Sequence, residues 1–200
     1  NCITVAPGAN VGLTPEMVRQ AEPLIAAAGV VLLQLEVPVE AVMEAATIAA
    51  NYETPIILDP APAGPLPDRL WSHLAVVTPN VVEAEALTGH RIRGEGDACA
   101  AADALIGRGV ESVVVTLGAS GLLVATRNDR TVLKGFPVEA VDTTAAGDAF
   151  AGALAARLAE GTDLIMAARF ANAAAAVAVT RLGAQPSIPT RDEIANMLRS

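Results

Sequence analysis

Residues 142–150 gather groups that could do chemistry at the start of an Ala-rich segment. They read DTTAAGDAF and hold two carboxylates, two hydroxyls and a run of small residues. Small residues at the start of a helix leave backbone N–H groups open to a ligand, and those groups together with the helix dipole attract an anion such as a phosphate. A carboxylate beside a bound phosphate would suit a base that prepares a nucleophile for phosphoryl transfer, and Asp148 has that position.

A purely structural role would also account for this stretch. Thr144 could be an N-cap, and a carboxylate such as Asp148 in the first turn of a helix is favoured by the helix dipole. Gly147 favours the catalytic alternative, because a glycine in a first turn costs about 1 kcal/mol relative to alanine and a close approach of the backbone to a ligand would explain it. These residues by themselves leave both roles open.

Further polar residues follow or end apolar segments elsewhere in the chain. Parallel sheets bind ligands beyond the carboxyl ends of their strands, so we expect such residues to meet at one edge of a sheet. They are Glu36, Asp59, Asn80, Glu83 and Thr116.

Most of these signals also have a structural explanation. Asn80 and Glu83 have the spacing of a capping box, although they could also lie near the phosphates of a nucleotide, with Glu83 holding a Mg²⁺-bound water. Glu36 could interact with the positive end of the next helix or accept a hydrogen bond from a sugar hydroxyl. Residues 116–121 could be a hairpin turn or a place where a nucleotide approaches the backbone, and they lack the Gly-Lys-Ser/Thr of a P-loop. Asn172 lies in an Ala-rich helix, where a lone amide usually faces solvent or a neighbouring helix.

The elements around these residues follow from hydrophobic periodicity and from start and stop signals. We predict strands at residues 3–6, 30–35, 56–58, 75–78, 113–117, 122–125 and 131–134. We predict helices at residues 14–28, 39–51, 68–73, 80–87, 94–108, 147–160, 163–180 and 191–198. Apolar strands that alternate with helices indicate a single α/β domain over residues 1–200, with a mostly parallel sheet covered on both faces. The hairpin near residue 120 and the final helices break this alternation and predict a mixed far edge.

Composition narrows the class of protein. The 200 residues are 52% hydrophobic but only 2% aromatic, so the core must be built from Ala, Val, Leu and Ile. The net charge of −9 and the absence of a Lys/Arg cluster argue against binding to nucleic acid. Cys2 and Cys99 have no metal-binding spacing, and a reducing cytoplasm is the simplest fit. The longest apolar run, residues 173–179, is too short to cross a membrane, and no signal peptide is visible.

Five stretches, in this order and spacing, resemble the ribokinase branch of the PfkB carbohydrate kinase family. They are LQLE at 33–36, DPAP at 59–62, TPNVVEAE at 78–85, VVTLG at 114–118 with Gly121, and DTT at 142–144 continued by FANAAA at 170–175 and GAQPSIP at 183–189. The resemblance covers essentially the whole chain. It implies a ribokinase-like three-layer α/β/α sandwich and ATP-dependent phosphorylation of a sugar hydroxymethyl group, in the first place the 5-hydroxyl of D-ribose. Another sugar or nucleoside kinase of the family, or a non-catalytic nucleotide-binding fragment or paralogue, stays open.

The resemblance also assigns roles at the reacting end of the site. Asp148 matches the base that takes the proton of the sugar hydroxyl and so contacts the sugar. Backbone amides of Ala145, Ala146 and Gly147 match an anion hole for the transferred phosphate, and the family often has Gly where this chain has Ala145. Glu36 matches a sugar-contacting residue.

For the nucleotide and the cations, the resemblance implies ATP, Mg²⁺ and K⁺. Asn80 and Glu83 match the phosphate and Mg²⁺ side of the nucleotide site. The ATP pocket would be lined by Thr116, Leu117, Gly118, Ala119, Ser120, Gly121, Gly147, Asp148 and Asn172. The K⁺ site would be formed mostly by backbone oxygens of Asp142, Thr144, Ala178, Arg181, Gly183 and Ser187. Arg181 would act there only through its carbonyl, because its side chain cannot ligate a cation.

The family further implies a segment before Asn1 that holds the first strands, a β-sheet lid and most sugar contacts. We therefore expect residues 1–200 to be the C-terminal two-thirds of such a kinase, without the lid, and to be inactive alone. We expect the full-length protein to be a homodimer joined through the lid.

Overall fold

The structure is a computed structural model that describes residues 6–199, and its elements are given for this range. The strands are β1 (Val31–Leu33), β2 (Ile56–Leu58), β3 (Val76–Val77), β4 (Ser112–Thr116), β5 (Gly121–Thr126) and β6 (Arg130–Lys134). The α-helices are α1 (Pro15–Gln20), α2 (Glu22–Ala26), α3 (Val39–Asn51), α4 (Asp68–Trp71), α5 (Val81–Thr88), α6 (Glu95–Gly107), α7 (Ala146–Ala159), α8 (Leu164–Ala178) and α9 (Arg191–Met197). Short 3-10 helices lie at Gly8–Gly12, Gly118–Ser120 and Gln185–Ser187. Of the strand predicted at residues 3–6, residues 3–5 lie outside the described residues.

The strands lie in chain order across one sheet. β1, β2, β3 and β4 run parallel to one another. β5 runs antiparallel to β4, and β6 runs antiparallel to β5. The predicted mostly parallel sheet with a mixed far edge is confirmed.

Helices cover both faces of this sheet. Successive residues of a strand point to opposite faces, and β2 shows the result. Ile56 and Leu58 pack with helices α3 to α6, whereas Ile57 between them packs with Phe150 and Leu154 of α7. Three buried alanines of α8 lie against the same face as α7, and such small side chains let helices approach closely. The predicted three-layer α/β/α sandwich is confirmed.

One predicted helix is divided in two. The pattern over residues 14–28 predicted a continuous helix, whereas the structure has α1 and α2 with Ala21 between them. Pro23 lies in the first turn of α2, has no N–H to donate, and would clash with the carbonyl four residues earlier in a continuous helix. The start of α1 is as predicted, because the Thr14 side chain accepts a hydrogen bond from the Met17 N–H at 3.3 Å and Pro15 follows.

Among residues 6–199, no helix combines the length and the apolar character that a membrane span requires.

Candidate active site

A cavity of about 180 Å³ opens at the carboxyl ends of the parallel strands. Its polar and backbone lining includes Asp59, Thr78, Asn80, Glu83, Thr116, Thr143, Ala145, Ala146, Gly147 and Asp148. The structure thus brings together most of the polar residues singled out in the sequence, because the loops after parallel strands meet at one edge. Glu36 is exposed after β1 and lies near enough for its charge to act on Asp59.

The start of α7 leaves its first-turn amides without a side-chain cap. Ala145 occupies the N-cap position in a left-handed conformation, with φ 59° and ψ 14°. Thr144 is therefore not the N-cap, because its hydroxyl donates instead to Asp142 Oδ1 at 2.6 Å. A non-glycine residue in the left-handed region costs about 1–2 kcal/mol, and such strain is concentrated at functional sites. The Ala146 N–H donates to the Thr143 carbonyl at 3.3 Å, whereas no backbone or side-chain acceptor within residues 6–199 takes the Gly147 N–H. Both residues line the cavity, and the open amide of Gly147 can bind an anion.

Asn80 and Glu83 form a capping box at the start of α5. The Glu83 N–H donates to Asn80 Oδ1 at 2.9 Å, and Glu83 Oε2 accepts from the Asn80 N–H at 2.8 Å. The Asn80 side-chain amide also donates to Glu83 Oε1 at 2.7 Å. Burial raises the pKa of Glu83, and the hydrogen bonds from Asn80 oppose that rise. The pair therefore caps the helix and lines the cavity at the same time.

Asp59 follows β2, and no specific role was predicted for its carboxylate. Burial, and then the charges of Glu83, Asp148 and Glu36, raise its pKa to about 7. Carboxylates thus concentrate at this edge, and the part of the cavity lining that falls within residues 6–199 contains no Lys or Arg. A divalent cation would relieve this concentration of negative charge.

The same edge limits how a divalent cation could be held. In the described part of the chain, no group of three or more His, Cys, Asp or Glu side chains lies close enough together to hold a metal ion. Mg²⁺ usually keeps several waters and binds one or two carboxylates together with substrate phosphates. The carboxylates present fit that mode of binding.

A second cavity, of about 350 Å³, shares Thr116, Thr143, Ala146, Gly147 and Phe150 with the first. Of the residues predicted for the nucleotide, those that line it are Thr116, Gly118, Ala119, Gly121, Gly147 and Asn172. Asp148 lines the first cavity and not the second. Leu117 and Ser120 are not among its lining residues, and Leu117 packs against the core instead.

Apolar walls of this second cavity were missed in the sequence. They are formed by Phe136, Val138, Ala140, Phe150, Ala175, Ala176 and Val179. The members at the end of α8 recur at helical spacing from Asn172, and that spacing was the available signal. Residues 136–140 lie in a loop without periodicity, so no sequence pattern marks them. An apolar slot of this size suits a flat aromatic ring such as a nucleotide base.

Asn172 and Gly121 line this slot and fix the elements around it. The buried side-chain amide of Asn172 donates to the Lys134 carbonyl at 3.0 Å, so α8 is joined to the end of β6. Gly121 opens β5 with a φ of 105°, and a Cβ at this position would lie 2.0 Å from the Leu133 carbonyl oxygen. Only glycine fits this close approach of the hairpin strands.

The residues implied for K⁺ fall on two segments that the structure joins through Asp142. Its Oδ1 accepts hydrogen bonds from the N–H and the hydroxyl of Thr144, at 2.9 and 2.6 Å. Its Oδ2 accepts the N–H of Gly183 at 2.9 Å. These hydrogen bonds, first of all the one from the Thr144 hydroxyl, hold the pKa of Asp142 below its ordinary value.

The remaining implied K⁺ residues lie at and beyond the end of α8. The Arg181 N–H donates to the Ala178 carbonyl at 3.1 Å, and the buried Ser187 hydroxyl donates to the Ala184 carbonyl at 2.7 Å. The donors offered by the six residues are backbone carbonyl, hydroxyl and carboxylate oxygens, and such oxygen sets suit a monovalent cation.

The side chain of Arg181 is directed to α9. Its guanidinium donates to both carboxylate oxygens of Glu193, which also accepts hydrogen bonds from Thr190. Arg181, followed by Thr190, lowers the pKa of Glu193 to about 2.

Residues 2–191 match the profile of the pfkB family carbohydrate kinases. The chain belongs to the PfkB family of carbohydrate kinases. Among PfkB relatives, a ribokinase of Haemophilus influenzae is 45% identical over 198 residues, which are 99% of this chain and 65% of that protein. The chain therefore spans less than two thirds of the length of this curated relative.

Solved PfkB structures share the fold. The structure of Arabidopsis thaliana ribokinase complexed with ribose and ATP matches with a TM-score of 0.94 at 32% identity, over 100% of this chain and 65% of that one. A structure of Escherichia coli phosphofructokinase-2 in complex with potassium matches with a TM-score of 0.77 at 25% identity, over 94% of this chain and 62% of that one.

Proposed function

We propose that the protein is an ATP-dependent kinase that phosphorylates D-ribose at its 5-hydroxyl. The observation that carries this proposal is the start of α7, which has no side-chain cap and whose first two residues, Ala146 and Gly147, line both cavities. A phosphate bound at this helix start would have an apolar slot for a base on one side and Asp148 on the other. The relative named ribokinase, and the solved complex of the Arabidopsis ribokinase with ribose and ATP, support ribose as the acceptor.

Asp148 supplies the base in this proposal. Its carboxylate accepts the proton of the sugar 5-hydroxyl while the hydroxyl oxygen attacks the γ-phosphorus of ATP. A new O–P bond forms on the sugar, the bond from the γ-phosphorus to the bridging oxygen breaks, and ADP leaves with that oxygen.

The backbone and Glu36 complete the proposed site for the reacting groups. The N–H groups of Ala145, Ala146 and Gly147 donate to the phosphoryl oxygens, and donors whose positions are fixed beforehand stabilise transition-state charge most effectively. Glu36 accepts a hydrogen bond from another hydroxyl of the sugar.

Two cations belong to the proposal. Mg²⁺, when bound, screens the phosphate charges, and Asn80 and Glu83 would hold it through water near the half-buried Asp59. K⁺ would be held by oxygens of Asp142, Thr144, Ala178, Arg181, Gly183 and Ser187 and would place a fixed positive charge beside the first turn of α7. The potassium complex of the Escherichia coli relative supports a monovalent cation in this fold.

We also propose a cytoplasmic location and a homodimeric assembly. The free thiol of Cys99 fits a reducing compartment. The dimer rests on the family resemblance, and sedimentation of the protein expressed from its complete gene would test it.

The deciding experiment offers ATP and a panel of acceptors to the protein expressed from its complete gene. The panel contains D-ribose, 2-deoxy-D-ribose, D-fructose and adenosine, and a coupled assay measures ADP formation. We expect turnover of ribose, with phosphorus NMR locating the phosphate on the C5 oxygen. Turnover of adenosine or fructose without ribose would assign a sister activity of the family. ATP binding in a calorimeter without turnover of any acceptor would assign a non-catalytic nucleotide-binding protein.

A further inference from the structure

Arg181 uses its backbone and its side chain for different contacts. Its carbonyl belongs to the segment proposed to hold K⁺, three residues after the end of α8. Its guanidinium instead forms a forked ion pair with Glu193 on α9. A guanidinium paired with both oxygens of a carboxylate is geometrically well defined, unlike a single surface contact.

Glu193 is itself held in a fixed position. Its Oε2 accepts the Thr190 N–H at 2.7 Å and the Thr190 hydroxyl at 2.9 Å, in a capping box that starts α9. The helix is docked by Ile194, which is only 5% exposed and packs with Ala173 and Ala174 of α8. Arg181 therefore connects the segment after α8 to a helix that is anchored by its core contact.

The segment that follows Arg181 has few other anchors. Leu182 is 72% exposed, and residues 184–186 are exposed as well. Gly183 is joined to Asp142 by its N–H, and the next buried side chain is that of Ser187. The ion pair of Arg181 and the hydrogen bond of Gly183 thus fix the segment at two points that are two residues apart.

These contacts form a continuous path from α9 to the start of α7. Glu193 pairs with the guanidinium of Arg181, and Gly183, two residues later, donates its N–H to Asp142. Asp142 in turn accepts the N–H of Thr144. Ala145, the strained residue that begins the anion-binding turn, follows Thr144 directly.

We propose that the Arg181–Glu193 pair is a positioning element that presets the backbone oxygens of Arg181 and Gly183 for K⁺, and through Asp142 the first turn of α7. This inference rests on the proposed function and adds to it two side chains outside the reacting groups. Neither side chain lines the two cavities proposed for the substrates, so both are positioning residues.

A second ion pair on the same helix provides a matched control. Arg191, also in the first turn of α9, pairs with Glu160 at the end of α7. This ion pair anchors α9 to the end of α7 and makes no contact with the segment after α8. Loss of Arg191 therefore reports what a general loosening of α9 would do.

The test compares Arg181→Met, Glu193→Gln and Arg191→Gln in the protein expressed from its complete gene. Methionine keeps the backbone carbonyl and an aliphatic stem, and glutamine keeps a carbonyl oxygen that can accept the Thr190 N–H. We expect Arg181→Met and Glu193→Gln to raise the K⁺ concentration for half-maximal activation at least fivefold, by more than any change in kcat at saturating K⁺. The double variant should need no more K⁺ for half-maximal activation than the more strongly affected single variant, because both substitutions remove the same interaction. Arg181→Lys, which keeps the charge, should recover part of the affinity.

A second readout does not need turnover. Thermal unfolding is followed over a KCl series at constant ionic strength, with choline chloride as the balancing salt. The K⁺ concentration that gives half of the rise in Tm should move by the same factor as the activation midpoint, and Arg191→Gln should move neither.

Unchanged midpoints in Arg181→Met and Glu193→Gln, an equal shift in Arg191→Gln, or a parent protein whose Tm does not respond to K⁺ would each overturn the inference. A parent protein that is stabilised by K⁺ but does not phosphorylate ribose would overturn the proposed function alone.

Discussion

Asp142 Oδ2 accepts the backbone N–H of Gly183 at 2.9 Å and so joins two segments that are 41 residues apart in the chain. The other oxygen of Asp142 accepts both the N–H and the hydroxyl of Thr144. The carboxylate of Asp142 thus aligns the start of α7 with the segment after α8. The same hydrogen bonds lower the pKa of Asp142, so the contact persists below the pH at which an ordinary aspartate is protonated.

Asp142→Asn should loosen this alignment. An asparagine has one carbonyl oxygen, and its NH₂ group cannot accept a hydrogen bond, so either Gly183 or Thr144 loses its partner. We expect faster hydrogen exchange at the Gly183 amide and a higher K⁺ requirement. In the parent protein, Gly183 protection should be constant from about pH 8 down through the ordinary aspartate value near pH 4, and fall only below it as pH drops through the lowered pKa. Equal protection in parent and variant would contradict the role given to Asp142.

Gly147→Ala separates helix stability from ligand binding. A Cβ at Gly147 would meet no atom within 4 Å, so alanine fits the free protein and should stabilise α7 by about 1 kcal/mol. Gly147 lines both cavities, and the added methyl group would occupy the space proposed for the phosphate. We expect a higher Tm together with at least a tenfold loss in kcat/KM for ATP.

Gly152→Ala is the control for that experiment. Gly152 lies on the same helix, also has no atom within 4 Å of an added Cβ, and lines neither cavity. It should show the same gain in Tm with unchanged activity. Equal activity of the two alanine variants would mean that Gly147 is not required for the approach of a phosphate.

Asp59→Asn should stabilise the protein in a pH-dependent way when Mg²⁺ and nucleotide are absent. The pKa of Asp59 is about 7 in the folded protein and near 4 when unfolded, so between these values the folded state binds more protons. Stability due to this carboxyl therefore falls as pH rises from about 4 to about 7 and stays low above that. The full difference corresponds to about 4 kcal/mol, and solvent screening of a half-buried group reduces the expected effect to about 1–2 kcal/mol.

Urea unfolding of parent and Asp59→Asn at several pH values measures this effect. The stability advantage of the variant should grow from pH 4.5 to pH 7 and then level off. An advantage that is constant over this range would mean that Asp59 is not held in its protonated form by the fold.

Local sequence signals predicted the elements best where they agreed with the packing. Helix α3 and strand β2 have the bounds that their patterns predicted, because a continuous apolar strand and an alanine-rich helix face each other across the core. Pro23 was visible in the sequence, yet the apolar pattern over residues 14–28 outweighed it in the prediction of one helix. Positions of chemical groups after parallel strands followed from topology, which is why Asn80 and Glu83 fell at the edge where the start of α7 places Asp148.

Tertiary contacts produced what local signals could not show. The pKa of Asp59 depends first on its burial and then on charges brought from three other segments, and the partner of Arg181 is set by the docking of α9. Phe136 and Val138 lie in an aperiodic loop, so their place in the apolar slot was unpredictable. Thr144 has the residue type of an N-cap, but its hydroxyl is captured by Asp142.

Asp148→Asn tests the base itself. If Asp148 takes the proton of the sugar hydroxyl, we expect kcat to fall roughly 10²–10⁴-fold while ATP affinity, measured by calorimetry, is retained, since the apolar slot is formed by other residues. The charge of Asp148 contributes to the raised pKa of Asp59, so the variant should also lower that pKa, which carboxyl NMR can follow. Loss of the fold at this edge would bring the pKa of Asp59 down to its ordinary value near 4, so a smaller decrease shows that the edge is intact in an inactive variant. Full activity of Asp148→Asn would refute the assignment of the base, whereas loss of activity with the pKa of Asp59 unchanged would mean that Asp148 lies farther from the acidic edge than the structure places it.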